Sequence, residues 1–323
     1  MQALILGEGG PTFADIPQPT IRASEVLVRV HACALNRADL AMAQGHLHGA
    51  AGGRGNALGM EWAGDIVATG TDVPTLRSGD HVMGSGAGAF AEYAKADYGR
   101  VLPMPDVDMP YEQAATLPVA LQTMHDAVVT NGALVPGEAV LIQGASSGVG
   151  LMGLRIARAM GAALVIGTST NPARRAQLAD YGADLSLDPN DSTWVQQVLD
   201  ATDSKGVHLI VDQVAGGAAN DNMRATRVLG RIVNVGRLGG MRGNFDFDLH
   251  ALRRIRYIGV TFRTRTNDEV REIRRRLRHD LWPALTRGDL RLPIDRVYPF
   301  ADAPAALAHM AANDHFGKIV LRL

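Results

Sequence analysis

The chain has 323 residues, 46% of them hydrophobic and 20% charged, with 36 glycines; that length exceeds the usual single core, and the composition excludes a disordered chain in favour of two packed domains. Thirty-two basic residues against 33 acidic ones give a net charge of -1, which excludes any overall attraction to nucleic acid or an anionic membrane and leaves a small molecule as the expected partner. The single cysteine, Cys33, excludes an internal disulfide and a thiolate cluster around structural zinc, and it fits a cytoplasmic protein.

In chain order, Met1 to Gly7 has too short an apolar run for a signal peptide and reads as an immediate first strand. Residues 26–30 alternate as a half-buried strand, residues 64–70 read as a strand closed by glycine, and Arg77 to Val82 reads as a turn feeding another strand. From Leu117 to about Phe262 the pattern changes. Short apolar strands at 139–142, 164–167, 208–211, 232–235 and 257–260 are separated by helical segments, the signature of a parallel sheet with crossover helices. The first of those helices, 149–160, carries Leu151, Met152, Leu154, Ile156 and Ala157 on one apolar face. A charged helix is expected over 268–278, with the run Arg274, Arg275, Arg276 as a solvated face. The β-like ending 317–321 is expected to return to the first domain, because the parallel sheet is already complete. No stretch approaches the roughly 18 uninterrupted apolar residues of a membrane span.

The segment Gln143 to Gly150 follows a strand and opens a helix, the context that a dinucleotide-binding turn requires. Small residues there let the backbone approach a pyrophosphate, and the helix N-terminus stabilises its charge. A literal G-x-G-x-x-G also sits at Gly148, Gly150 and Gly153. The frame starting at Gly144 is preferred, since the first small residue belongs where the strand ends and Gly153 falls inside the helix. A cofactor lacking a 2′-phosphate normally finds an acidic residue about 20 residues after the turn. Here that position holds Gly167, Thr168, Ser169 and Thr170, followed by Arg174 and Arg175. Hydroxyls with a guanidinium suit a phosphate, so NADPH is expected over NADH.

Several spaced motifs then carry a family resemblance: residues 34–40 (ALNRADL), 59–64 (GMEWAG), 79–82 (GDHV), 88–93 (GAFAEY), 115–118 (ATLP), the phosphate turn, and the ending 317–320 (GKIV). Over nearly its whole length the chain resembles the medium-chain dehydrogenase/reductase superfamily, and within it the zinc-independent quinone oxidoreductase branch that includes zeta-crystallin. Residues 259–265 with Trp282 and Pro283 are similar to the tumour-suppressor-inducible quinone reductase subgroup. The resemblance implies an α/β fold: a Rossmann doubly wound parallel sheet at 117–266, and a β-rich GroES-like catalytic domain built from 1–116 with 267–323. It implies Asn36 and Thr123 near the nicotinamide, and the backbone of Ser146, Ser147, Gly148 and Val149 at the pyrophosphate. Arg174 with Thr168 and Ser169 would hold the 2′-phosphate, while Val214, Gly236, Arg237, Leu238, Gly239, Phe262 and Arg263 line the rest of the cofactor. A homodimer joined through the nucleotide domains is the common arrangement, and the strand around 257–262 could pair with its symmetry mate.

Zinc-dependent members of the superfamily carry cysteine where Asn36 stands and histidine where Met60 stands, and neither residue here is a credible zinc ligand. His46 and His48 read as solvated loop histidines. The chain also departs from the family: Leu47 replaces a frequent tyrosine, and Pro189 or Asn190 stands where a tyrosine or histidine often stacks on the adenosine. The expected reaction is hydride transfer from NADPH to a quinone or to the β-carbon of an enone, with the proton arriving from solvent. An enoyl-thioester reductase, a zinc alcohol dehydrogenase and a low-turnover NADPH-binding structural or sensor protein are the alternatives.

Overall fold

The computed structural model describes residues 1–106 and 108–323. They form two compact units: Met1–Val119 with Phe262–Thr286 and Arg291–Leu323, and Ala120–Thr261 with Arg287–Leu290.

The second unit is built on six parallel strands in the spatial order Leu185–Leu187, Leu164–Thr168, Ala139–Ile142, Val207–Asp212, Thr226–Asn234, Arg256–Gly259. The inner strands are apolar runs because both faces are covered, and Leu141, Ile166, Ile210 and Ile232 form a core with Trp194, Val198 and Met223. The chain winds outward one way from Ala139–Ile142 and then the other way from Val207–Asp212, so the gap between these neighbouring strands is the topological switch point. The first crossover helix, Gly148–Ala159, buries Leu151, Met152, Leu154, Ile156 and Ala157 as its periodicity predicts. Leu185–Leu187 was not anticipated: only Leu187 of its three residues is buried, too short a pattern to register.

In the first unit a sheet runs in the order Ile294–Pro299, Lys318–Arg322, Glu25–Ala34, Glu61–Thr69, His81–Ser85, Val101–Pro103, with Tyr93–Asp97 also paired to Glu25–Ala34. The hairpin Gln2–Gly7 with Gly10–Asp15 stands beside this sheet in the sequence as a separate pair. The C-terminal strand does return here, antiparallel to Glu25–Ala34 with Val320 opposite Ala34. Trp62, Phe90, Leu4, Leu35, Met42 and Leu58 lie in the core of this unit.

Two expectations at this end of the chain are corrected. The charged helix runs Asn267–Thr286, past Arg278 and through Pro283, because Leu281, Ala284 and Leu285 continue its buried face. Of the arginine run, Arg275 and Arg276 do pair with Glu272 on the solvent side at 2.8 and 2.7 Å. Arg274 is only 4% exposed, and donates to the Arg100 carbonyl and to Ser85 Oγ at 2.8 and 3.2 Å. Among the described residues, no helix is long and apolar enough to cross a membrane.

Candidate functional site

The carboxyl ends of the parallel strands in the second unit bring most of the sequence-predicted residues together. After Ala139–Ile142 the chain turns at Gly144 with φ +68°, a left-handed conformation natural to glycine. Ser147 then caps the helix Gly148–Ala159, its Oγ accepting from the Gly150 N–H at 3.0 Å. The amides of Gly148 and Val149 stand in the first turn, where no earlier helical carbonyl exists to accept them. Gly150 is sterically required, since a Cβ there would lie 2.5 Å from the Gly144 oxygen. This is a cradle that a side chain would fill, at a helix N-terminus, and it fits a dinucleotide pyrophosphate.

Across the switch point the turn is held by a residue that sequence reasoning missed. Gln213, just beyond Val207–Asp212, donates to the carbonyls of Gln143 and Gly144 at 3.0 and 3.2 Å and accepts from Ser147 Oγ at 3.1 Å. Its neighbour Asp212 accepts from the N–H groups of Val214 and Ala215, and burial raises its pKa. Val214 in turn accepts from Gly239 at 2.8 Å, and Leu238 donates to the Gln213 carbonyl at 3.1 Å, so Gly236 to Gly239 lie against the same edge. Arg237 is half-buried within that segment. The available signal for Gln143 and Gln213 was a polar side chain directly after an apolar strand.

At the end of Leu164–Thr168, the buried Thr168 hydroxyl donates inward to Gln143 Oε1 at 2.6 Å and accepts from the Gly144 N–H at 3.0 Å. Ser169 Oγ meets Ser146 Oγ at 2.9 Å. Arg175 is tied to Asp188 and to the Ser169 carbonyl at 2.9 and 2.7 Å; Arg174, half-buried like it, lies on the same short helix Pro172–Arg175, its backbone N–H donating to Asn171 Oδ1 at 3.0 Å. Thr123 is half-buried on the helix Pro118–His125.

Asn36, Phe262 and Arg263 belong to the first unit. Asn36 follows the strand Glu25–Ala34 and precedes the helix Arg37–Ala43, with 8% exposure. Its side-chain amide donates to Glu61 Oε1 at 2.8 Å and accepts from Lys318 Nζ at 3.0 Å, while its backbone N–H donates to Asp39 Oδ2 at 2.6 Å. Burial pushes the Asp39 carboxyl up to about 7, against the opposing hydrogen bond from Asn36 and the charge of Lys318. Asn36 is therefore both a helix-entry residue and the centre of a buried polar cluster. The Arg263 backbone passes Gly49, whose Cβ would lie 3.0 Å from the Arg263 oxygen. Burial and the Arg263 charge lower the pKa of His48. Phe262 is half-buried and Leu47 is 68% exposed. Among the described residues, no group of three or more His, Cys, Asp or Glu side chains could hold a metal ion.

Residues 148–278 match the zinc-binding dehydrogenase family and residues 22–106 the alcohol dehydrogenase GroES-like domain. Among curated proteins, the chain is 28% identical to quinone oxidoreductase-like protein 2 of Bos taurus, over 95% of this chain and 87% of that protein. It is 31% identical to erythronolide synthase EryA2 of Saccharopolyspora erythraea over 99% of this chain, but spans only 9% of that synthase's length. A solved mycobacterial quinone oxidoreductase superposes with a TM-score of 0.86 at 25% identity, each chain covered in full at 100%. A nucleotide-type parallel sheet with its glycine turn at the switch point, a GroES-like unit and these matches together place the chain in the medium-chain dehydrogenase/reductase superfamily, among quinone oxidoreductase-like homologues.

Proposed function

We propose that this oxidoreductase is NADPH-dependent and zinc-independent, and that it reduces quinones or other conjugated carbonyl compounds. The observation that carries the reading is the phosphate edge of the second unit. It has a glycine turn and capped helix at the switch point, and at the end of the next strand it presents Ser169 and Arg174 with no carboxylate in the segment Gly167 to Arg175. In this reading Ser146 to Val149 receive the pyrophosphate. Ser169 and Arg174 take the 2′-phosphate; Thr168, expected beside them, is fully buried with its hydroxyl engaged by Gln143 and Gly144, and it shapes the turn beneath them instead. Val214, Gly236 to Gly239, Phe262 and Arg263 line the remainder, and Asn36 and Thr123 flank the nicotinamide. When bound, the dinucleotide supplies the hydride, and the protein's contribution is binding, orientation and exclusion of water.

Zinc independence is supported by chemistry at the two positions where zinc-dependent members of the superfamily place ligands. The Asn36 amide is engaged by Glu61 and Lys318, and Met60 offers only a thioether. A cytoplasmic homodimer completes the proposal. Arg256–Gly259 forms one edge of the parallel sheet, beside an open groove of about 500 Å³ lined by Phe245, Phe247, His250, Ile255 and Tyr257. Phe247 is 77% exposed there, an apolar surface suited to a second copy.

Similarity to polyketide synthases, and in fold to a solved enoyl reductase, favours one second reading, in which the acceptor is an enoyl thioester. A crotonyl thioester reduced faster than every quinone selects it. For the cofactor assignment, Arg174→Ala is expected to raise the KM for NADPH by about 10- to 100-fold, the worth of a charge-assisted hydrogen bond. The KM for NADH should stay the same. An unchanged NADPH KM contradicts the assignment.

A further inference from the structure

Within the first unit, three buried side chains close a triangle of hydrogen bonds. Glu61 is 0% exposed, Lys318 4% and Asn36 8%. The three Lys318 ammonium protons reach the Leu35 carbonyl at 2.9 Å, Asn36 Oδ1 at 3.0 Å and Glu61 Oε1. Glu61 Oε1 also accepts from Asn36 Nδ2 at 2.8 Å, and Glu61 Oε2 accepts from the Val119 N–H at 2.9 Å. Three different strand ends supply the corners: Asn36 follows Glu25–Ala34, Glu61 opens Glu61–Thr69, and Lys318 opens Lys318–Arg322.

This geometry settles which way the amide faces. An ammonium demands an acceptor and a carboxylate demands a donor, so Oδ1 must face Lys318 and Nδ2 must face Glu61. Turning the amide over would set N–H against a cation and a carbonyl against an anion among buried side chains. What the pair leaves of the amide is one Oδ1 lone pair and the second Nδ2 proton, which donates weakly to the Ala34 carbonyl at 3.5 Å. A buried ion pair replaced by apolar groups of similar volume is often neutral for stability, so retaining one in the core calls for another purpose.

We propose that Lys318 and Glu61 are positioning residues that act through Asn36, fixing its amide so that a preset hydrogen-bond donor is held at the reacting centre. The inference rests on the reading above that Asn36 lies beside the nicotinamide. Preset orientation matters because a hydrogen-bonding group that must first reorient contributes less in the transition state than one already aligned.

The test is a cycle of four proteins: wild type, Asn36→Ala, the charge-neutral pair Glu61→Gln with Lys318→Met, and the triple variant. Each is assayed for single-turnover NADPH oxidation with a quinone, for the isotope effect with 4-deuterated NADPH, and for Tm. The pair is expected to slow hydride transfer by about 10- to 100-fold, the usual scale for loosened positioning, with the KM for NADPH little changed. In the Asn36→Ala background the same pair should do nothing more. If it slows both backgrounds equally, or slows neither, the positioning role is overturned. If Asn36→Ala itself leaves hydride transfer unchanged, the placement of Asn36 at the nicotinamide fails, and the inference falls with it. Should the pair variant not fold, Glu61→Gln alone enters the same cycle, with the same coupling to Asn36 expected and additive losses overturning the proposal.

Discussion

Asp39 shows how burial decides the behaviour of a single side chain. Its carboxyl is wholly buried, and its pKa rises from 3.8 to about 7. The unfolded chain releases this proton near 3.8 and the folded chain near 7, so between those values the folded state binds the extra proton and stability falls as pH rises. The loss is largest above the folded pKa, with an upper bound on the order of 4 kcal/mol. Asp39→Asn keeps an acceptor for the Asn36 N–H and cannot ionise. Urea unfolding should show it gaining stability over wild type at about pH 8 and matching it near pH 4. A constant difference across that range contradicts the account. Residue identity was legible in the sequence; burial of polar groups was less so. Arg274 lies on the same helix face as Val270, Ile273, Leu277 and Leu281, yet charge density alone suggested solvent. Asn36 was found through motif, while its partners Glu61 and Lys318 come from strands distant in sequence, and no local pattern joins them.

At the level of elements, strands covered on both faces were legible because burial demands unbroken apolar runs. The boundary of the helix Asn267–Thr286 was not, because Pro283 mimics a stop signal that its buried last turn overrides. The turn at Gly144 was readable from spacing, and so was its glycine frame, because the first small residue belongs where the strand ends and Gly153 falls inside the helix Gly148–Ala159. Gly150 carries the sharpest prediction. A methyl group there would meet the backbone of Gly144 and Ala145 at 2.5 and 2.7 Å, so Gly150→Ala must displace the turn that faces the cofactor. The variant is expected to lose about 1–3 kcal/mol of stability from overpacking. NADPH affinity by calorimetric titration should fall by at least about 10-fold, a modest misplacement of aligned donors. Wild-type affinity in this variant would remove the turn from the binding site.

For the whole molecule, the superfamily was legible because several motifs recur in one order, whereas dimerisation depends on a surface that local sequence does not label. The groove beside Tyr257 and the exposed Phe247 put the proposed interface at the sheet edge. Sedimentation should therefore give twice the 34.3 kDa chain mass for wild type, and Phe247→Asp should shift the protein toward monomer. A wild-type monomer at micromolar concentration contradicts this. The central claim concerns cofactor and acceptor together, and the most direct measurement follows absorbance of NADPH and, in parallel, NADH. Purified protein is added to small quinones, a large planar quinone, linear enones and crotonyl thioester. Rapid oxidation of NADPH with quinones or enones, and little of NADH, is the predicted result; NADPH binding without turnover on any acceptor, or a preference for NADH, would contradict it.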